Sequence, residues 1–267
     1  MPKKWKVKRT RVPTTDRKEQ FPHLRRAPIT EAVIDFRANM PAEFNFNAFA
    51  GLGNVLGAGY GSPKDINLME FGVEQAPGKK PESRQIDHGR IGFRYDSADR
   101  KQIAQFRKDG FTFSRLAPYT RWEEVFGEAS RLYRAYVEMC EPEEVTRTAV
   151  RYINRLVLPG EDIGDLSRFL TAPPNVPKDV PVHLTGFLTR VQIQDPETLI
   201  FGTLTQSIQP GSAESGKIPL ILDLDIYESG AQSPNPDVIL PRFEALRALK
   251  NRYFFASITE KTVKLCQ

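Results

Sequence analysis

The chain has 267 residues, of which 40% are hydrophobic and 27% are charged. This composition supports a hydrophobic core and excludes a disordered or fibrous protein. The sequence contains no run of about 20 apolar residues that could span a bilayer, and its start, MPKKWKVKRT, lacks the apolar stretch of a secretory signal. Two cysteines are too few for a disulfide scaffold. We therefore expect a cytoplasmic globular protein without a membrane partner.

The positive charge is concentrated at the N-terminus. The formal net charge is +5, yet residues 1–26 alone hold ten basic and two acidic side chains. We predict that these residues form a basic, extended arm, which can displace counterions from nucleic acid and stack a tryptophan on a base. The alternative is a solvated leader that aids solubility. The candidate nucleic-acid-binding residues are Lys3, Lys4, Trp5, Lys6, Lys8, Arg9 and Arg11.

Residues 27–171 are predicted to form a first α+β unit. It begins with a half-buried strand in which Ala32, Ile34 and Phe36 alternate with charged residues. A short helix is expected around residues 46–56, and a loop over the glycine-rich segment 51–61.

A meander and a long helix follow in the same unit. Three strands are predicted between residues 85 and 116, with a hairpin turn at Asp109–Gly110. Thr120 and Glu123 have the spacing of a capping box, and an apolar stripe over residues 122–140 indicates an amphipathic helix. The segment VTRTAVRYINRLVLP then predicts a central strand.

Residues 172–267 are predicted to form a second α+β unit packed on the first. A hairpin at Pro196–Glu197, a third strand over 219–229 and a helix over 240–258 repeat the order of meander and helix. The sequence thus predicts an α+β fold of two antiparallel-sheet-plus-helix halves, and a duplication would explain their common order. The last helix carries basic side chains outside its apolar stripe. Such a face is typical of a solvated helix but could also meet nucleic acid or an acidic partner; its residues are Arg242, Arg247, Lys250 and Arg252.

Catalytic and metal-binding motifs are absent from the sequence. The three histidines are far apart and have no metal-ligand spacing, and no phosphate-binding loop or nucleophile elbow is present. Asp223 and Asp225 share one strand face, which could hold Mg²⁺ but also describes any amphipathic strand with a wet face. We predict no metal and no cofactor, and we regard an enzyme as less well supported than a binding protein.

One polar cluster stands out within the central strand. Arg151 and Arg155 share one face of this strand, and Tyr152 and Asn154 share the other. Arginines in a central strand are costly unless they are paired or face a ligand. We favour a structural ladder of these arginines with two carboxylates on the first strand, and the alternative is a phosphate- or carboxylate-binding surface. The carboxylates of this ladder are Glu31 and Asp35.

Four segments carry a resemblance to a known family: HLRRAPITEAVIDF, FTFSRLAPYTRWEE, TAVRYINRLVLPGEDIGDL and FEALRALKNRYFFASITEKT. Together they resemble a sporadically distributed, uncharacterised prokaryotic protein family of about this length, over residues 21–264. The Pro-Ile-x-Glu-Ala and Arg-Tyr-x-Asn-Arg segments are its most specific marks. The resemblance implies no catalytic residue, and the scattered occurrence implies a mobile or defence-associated context.

These observations favour a non-catalytic binding or adaptor protein of a larger assembly, contacting nucleic acid through the arm and an arginine-lined sheet. A protein partner is expected, and a homo-oligomer stays open. One alternative is a sensor or regulator that binds a small ligand or partner without nucleic acid. The other is a motif-poor enzyme acting on nucleic acid or phosphorylated substrates through Asp223, Asp225, Arg151 and Tyr152.

Overall fold

One antiparallel sheet organises the chain in the computed structural model, which describes residues 21–74, 82–160, 164–175, 184–209 and 216–267. Within these residues the sheet has nine strands in the order β2-β3-β4-β5-β1-β6-β9-β8-β7. Their bounds are β1 (Ile29–Asn39), β2 (Lys64–Glu74), β3 (Glu82–Asp96), β4 (Gln102–Arg107), β5 (Gly110–Leu116), β6 (Glu144–Pro159), β7 (Phe187–Gln194), β8 (Phe201–Ile208) and β9 (Lys217–Gln232). The predicted α+β class is confirmed.

The two central strands, β1 and β6, pair with each other and join the two halves of the sheet. Each also pairs with the last strand of its own meander, β1 with β5 and β6 with β9. The alternation seen in the sequence of β1 places Ala32, Ile34 and Phe36 on the buried face. On β6, Tyr152 and Asn154 are buried, whereas Arg151 and Arg155 are exposed on the opposite face.

The described helices pack on one face of the sheet. Their apolar side chains and those of this sheet face together form two clusters of buried residues. Tyr133 stacks on Phe36 at a ring-centroid distance of 3.9 Å, and Phe243 contacts the same ring at 4.9 Å. The helices are α1 (Gly53–Leu56), α2 (Trp122–Cys140), α3 (Pro236–Ile239), α4 (Phe243–Ser257) and α5 (Glu260–Leu265), with 3₁₀ turns at Phe46–Leu52, Leu166–Arg168 and Leu240–Arg242. None of the described helices is both long and apolar enough to cross a membrane.

Of the predictions for single turns, loops and helix ends, some are confirmed and others are wrong. Both hairpins are confirmed, since β4 pairs with β5 and β7 with β8 around the predicted turns. The loop predicted over 51–61 is wrong in its first part, because burial of Leu52 and Leu56 extends a helical segment to residue 56. The capping box is also wrong: α2 begins after Arg121, which makes no side-chain cap. The arm residues 1–20 lie outside the described residues.

Candidate functional site

The sheet face opposite the helices carries the arginines that the sequence singled out. We call this surface the open face. Its centre holds a cavity of about 490 Å³, lined by twelve residues that include Glu31, Asp35, Arg107, Arg147 and Arg151. Around this cavity, carboxylates of β1 and β9 lie on either side of the arginines of β6.

Asp35 is the centre of the ion-pair network on the open face. It is 8% exposed and accepts hydrogen bonds from Arg147 at 3.1 Å, from Arg37 at 3.3 Å and from the Thr112 hydroxyl at 2.7 Å. A third guanidinium, that of Arg107, lies 3.7 Å from its carboxylate. Strands β1, β4, β5 and β6 are therefore linked through one buried carboxylate.

The two aspartates of β9 complete this network. Both terminal oxygens of Asp225 accept from one nitrogen of Arg147 at 2.8 Å. Asp223 accepts from Arg151 at 2.6 to 3.2 Å. These hydrogen bonds raise the pKa of Arg151, and nearby carboxylates, including Glu31, act in the same direction. Each of the two aspartates already accepts charge-assisted hydrogen bonds from one guanidinium group, so both are poorly placed to receive a metal ion or to act as a base.

The ion pairs differ from the predicted ladder in their partners. Arg151 contacts Asp223 and not Glu31 or Asp35, because β9 lies on the other side of β6 and presents its carboxylates at matching positions. Arg155 is exposed and makes no ion pair with a described residue.

A second and larger cavity lies on the opposite face of the sheet, and we call it the helix-side cavity. Its volume is about 720 Å³. Four segments distant in sequence form its walls: the N-terminal segment Phe21–Ile29, the loop Ala117–Glu123 that leads into α2, β6 at Tyr152 and Asn154, and α4 from Arg247 to Phe255. The cavity therefore spans the junction of the two halves.

Lys250 lies within this cavity, against the sheet. Its Nζ lies 4.0 Å from the centre of the Tyr152 ring and donates to the neighbouring Asn251 side chain at 2.5 Å. No carboxylate of the described residues pairs with it. Burial, and secondarily the charge of Arg247, lowers the pKa of Lys250 to about 7. Such an ammonium loses hydration without gaining a counterion.

Two tyrosines and an asparagine form the polar lining below Lys250. The hydroxyls of Tyr119 and Tyr152 are 3.2 Å apart, and burial raises the pKa of both. Asn154 is 1% exposed and donates to the carbonyl groups of Leu222, at 2.9 Å, and Tyr152. Asn154 thus ties β6 to β9, and both tyrosines line the cavity.

The lining of the helix-side cavity is rich in cations. Among the described residues it contains one carboxylate, Glu123, and five cationic side chains: Arg25, Arg26, Arg121, Arg247 and Lys250. Arg121 pairs with Glu124 at 2.7 Å, and Arg247 makes only long contacts of 3.5 Å with two glutamates. Within the described chain, Arg25, Arg26 and Lys250 have no ion-pair partner. The cavity is therefore the better anion site of the two.

The sequence candidates are divided between these two surfaces. Glu31, Asp35, Arg151 and Arg155 lie on the open face, and Tyr152 and Asn154 contribute to the helix-side cavity. The candidates Lys3, Lys4, Trp5, Lys6, Lys8, Arg9 and Arg11 lie outside the described residues. The sequence predicts a charged outer face for Lys250 and Arg247, and their position outside the apolar stripe of α4 is the one available signal.

Among the described residues, no three His, Cys, Asp or Glu side chains are grouped as metal ligands. Neither a protein-family model nor a curated protein matches the chain. The four segments that carry the resemblance described above nevertheless meet in one place, since each contributes to the wall of the helix-side cavity.

Proposed function

We propose that this protein is a non-catalytic binding protein, an adaptor of a larger assembly, that contacts nucleic acid through its basic arm and the mouth of the helix-side cavity. One observation carries the proposal: the cavity gathers Arg25, Arg26 and Lys250 without ion-pair partners in the described chain, whereas most arginines of the open face are already paired. Unpaired cations are free to replace counterions on phosphate groups.

The covalent order of the chain supports the same surface. Phe21, the first described residue, belongs to the cavity wall, so the eight basic residues before it are attached directly at this site. A polyanion held at the cavity is then within reach of the arm.

A salt titration tests this function. Binding of fluorescent single-stranded and duplex DNA and RNA is measured by anisotropy for the full chain and for a variant with the six basic residues among Lys3–Arg11 changed to Gln. We expect binding that weakens steeply and linearly on a log–log plot with salt, with a smaller slope for the variant. Absence of binding to all four nucleic acids at low salt contradicts the proposal.

The open face favours a second contact, with a protein partner. Its charges are nearly balanced, which suits a protein of mixed charge better than a polyanion. At one end of this face β6 carries Val157, 42% exposed, and Arg155, which makes no ion pair with a described residue; Leu188, 73% exposed, lies in the same row as Arg155 but three strands away on β7. Crosslinking in the native host, followed by mass spectrometry, should identify a partner that the variant L188E loses and L265E, altered outside this face, retains.

We also infer that the two halves are related by duplication. Each half begins with a central strand, continues through a short helical turn and a meander, and returns to pair with its own first strand before a long helix. This arrangement favours a boundary between Cys140 and Glu144, so that β6 opens the second half, over a boundary at residues 171–172.

A further inference from the structure

We propose that the helix-side cavity binds a phosphate monoester, with Lys250 and Arg247 as its charged ligands. The inference rests on the proposed function in one respect, since it takes the 5′ end of a nucleic-acid strand as the source of the monoester. A free phosphorylated molecule offers the same chemistry, and the experiment below distinguishes the two sources.

The first argument is the pairing of two cations on one helix face. Lys250 and Arg247 are three residues apart on α4, so their side chains project from neighbouring positions. Arg247 lies over the Trp122 ring at 5.3 Å, which orients its guanidinium at the cavity wall. Lys250 pairs with no described carboxylate and Arg247 contacts its two glutamates only at 3.5 Å, so the two cations repel each other, and a bound anion reduces this repulsion.

The position of Lys250 favours the end of a chain over its interior. Its ammonium contacts the ring of Tyr152, a residue of the sheet that is 1% exposed. An internal phosphodiester would need space for the strand to enter and to leave at this depth, whereas a terminal phosphate needs a single entrance. The cavity of about 720 Å³ has room for a terminal nucleotide.

The charge of a monoester also suits the site. A phosphate monoester has its second pKa near 6, so it carries almost two negative charges at neutral pH, compared with one for a diester. Two cations therefore neutralise a monoester. Two neutral polar residues, Tyr119 and Asn251, also line the cavity.

Proton uptake follows from the surroundings of Lys250. Because the pKa of Lys250 is about 7, this lysine is uncharged in a fraction of the protein molecules at neutral pH. A dianion that binds beside it raises this pKa again. The charged and titratable groups of the surrounding elements are His23, Arg25, Arg26, Tyr119, Arg121, Glu123, Tyr152 and Arg247. Lys250 is the one whose pKa is lowered to near neutrality, so calorimetry in buffers of different ionisation enthalpy should detect uptake of a fraction of a proton.

The first experiment uses inorganic phosphate. Melting of the full chain is compared in sodium phosphate and in sodium chloride at equal ionic strength, with the variants K250M and K108M. Lys108 is an exposed lysine in the turn between β4 and β5, at the other end of β1 from the cavity. We expect phosphate to stabilise the wild type and K108M but not K250M. Equal stabilisation of all three overturns the inference.

The second experiment uses one oligonucleotide with either a 5′-phosphate or a 5′-hydroxyl. We expect the phosphorylated strand to bind about tenfold or more tightly, the value of one charge-assisted contact, and K250M to lose this preference. Equal binding of both strands without a phosphate-induced stabilisation overturns the inference and leaves the proposed nucleic-acid function intact. Phosphate stabilisation without binding of either strand supports the cavity and contradicts the nucleic-acid function.

Discussion

The ammonium of Lys250 lies 4.0 Å from the centre of the Tyr152 ring and has no carboxylate partner in the described chain. This contact joins the last long helix to the central strand of the sheet. A cation–π contact recovers part of the hydration energy that burial removes, but less than an ion pair would. The free protein therefore holds a cation whose location is unfavourable until an anion arrives.

Replacing Lys250 by Met should stabilise the free protein. The methionine keeps the apolar stem over Tyr152 and removes the poorly solvated charge. We expect the melting temperature to rise by about 2–4 °C, the shift that roughly 1 kcal/mol produces in a chain of this size. Calorimetry of K250M beside K108M measures it. A melting temperature that falls in K250M but not in K108M would contradict the claim that the charge of Lys250 destabilises the free protein.

The gain from K250M should also depend on pH. Burial lowers the pKa of Lys250 to about 7 from 10.5, so between these values the unfolded chain binds a proton that the folded chain does not. Stability from this group therefore rises with pH from about 7 to 10.5. Denaturant titrations should show the difference between K250M and wild type to be largest below pH 7 and to shrink towards pH 10. A pH-independent difference would show that Lys250 is not desolvated.

The ion pairs of the open face should differ in their contribution to stability. Arg147 bridges Asp35 and Asp225 across three strands, whereas Arg155 makes no ion pair with a described residue. We expect R147M to lower the free energy of unfolding by about 2 kcal/mol, because a nearly buried carboxylate loses a donor. R155M should change it by less than about 0.5 kcal/mol. Urea unfolding of both variants measures the difference, and equal effects would count against a structural network.

Acid sensitivity should appear at the edge of the sheet. Burial alone would raise the pKa of Asp96, but hydrogen bonds from Lys64 and Arg94 outweigh it and lower the pKa below 3.8. Its stabilisation is therefore present above pH 3.8 and is lost as the pH falls through the folded-state pKa. We expect D96N to be less stable than wild type by about 1 kcal/mol at pH 7 and equally stable near pH 2. If D96N were still less stable than wild type at pH 2, the loss of stability would not come from the charge of Asp96.

The sequence predicted the strands and helices whose pattern is local. Alternation in β1 and the apolar stripe of α2 required no knowledge of distant residues, and both hairpin turns have a local signature. The partner of Arg151 could not be predicted in this way. Asp223 and Glu31 are equally plausible carboxylates until the strand order places β9 and β1 on opposite sides of β6.

Local sequence patterns could not predict the helix-side cavity, for the same reason. Lys250 has the spacing of a solvated residue on α4, and its burial depends on segments far away in sequence, at Tyr152 and before Trp122. Tyr152 and Asn154 were identified for their unusual polarity in a central strand. Their face was predicted correctly from the period of two, but the cavity above them depends on tertiary packing.

The last prediction concerns the hairpin between β4 and β5, which brings the first half of the sheet to β1. Gly110 has φ +145°, and a Cβ there would overlap the carbonyl oxygen of Phe36. We expect G110A to destabilise the protein by roughly 3 kcal/mol or more, because backbone strain and overpacking add. The matched control G59A, with no atom within 4 Å of the added methyl, should stay within about 0.5 kcal/mol of wild type. Thermal unfolding measures the stability of both variants. A G110A protein as stable as G59A would mean that β5 does not approach β1 as closely as described.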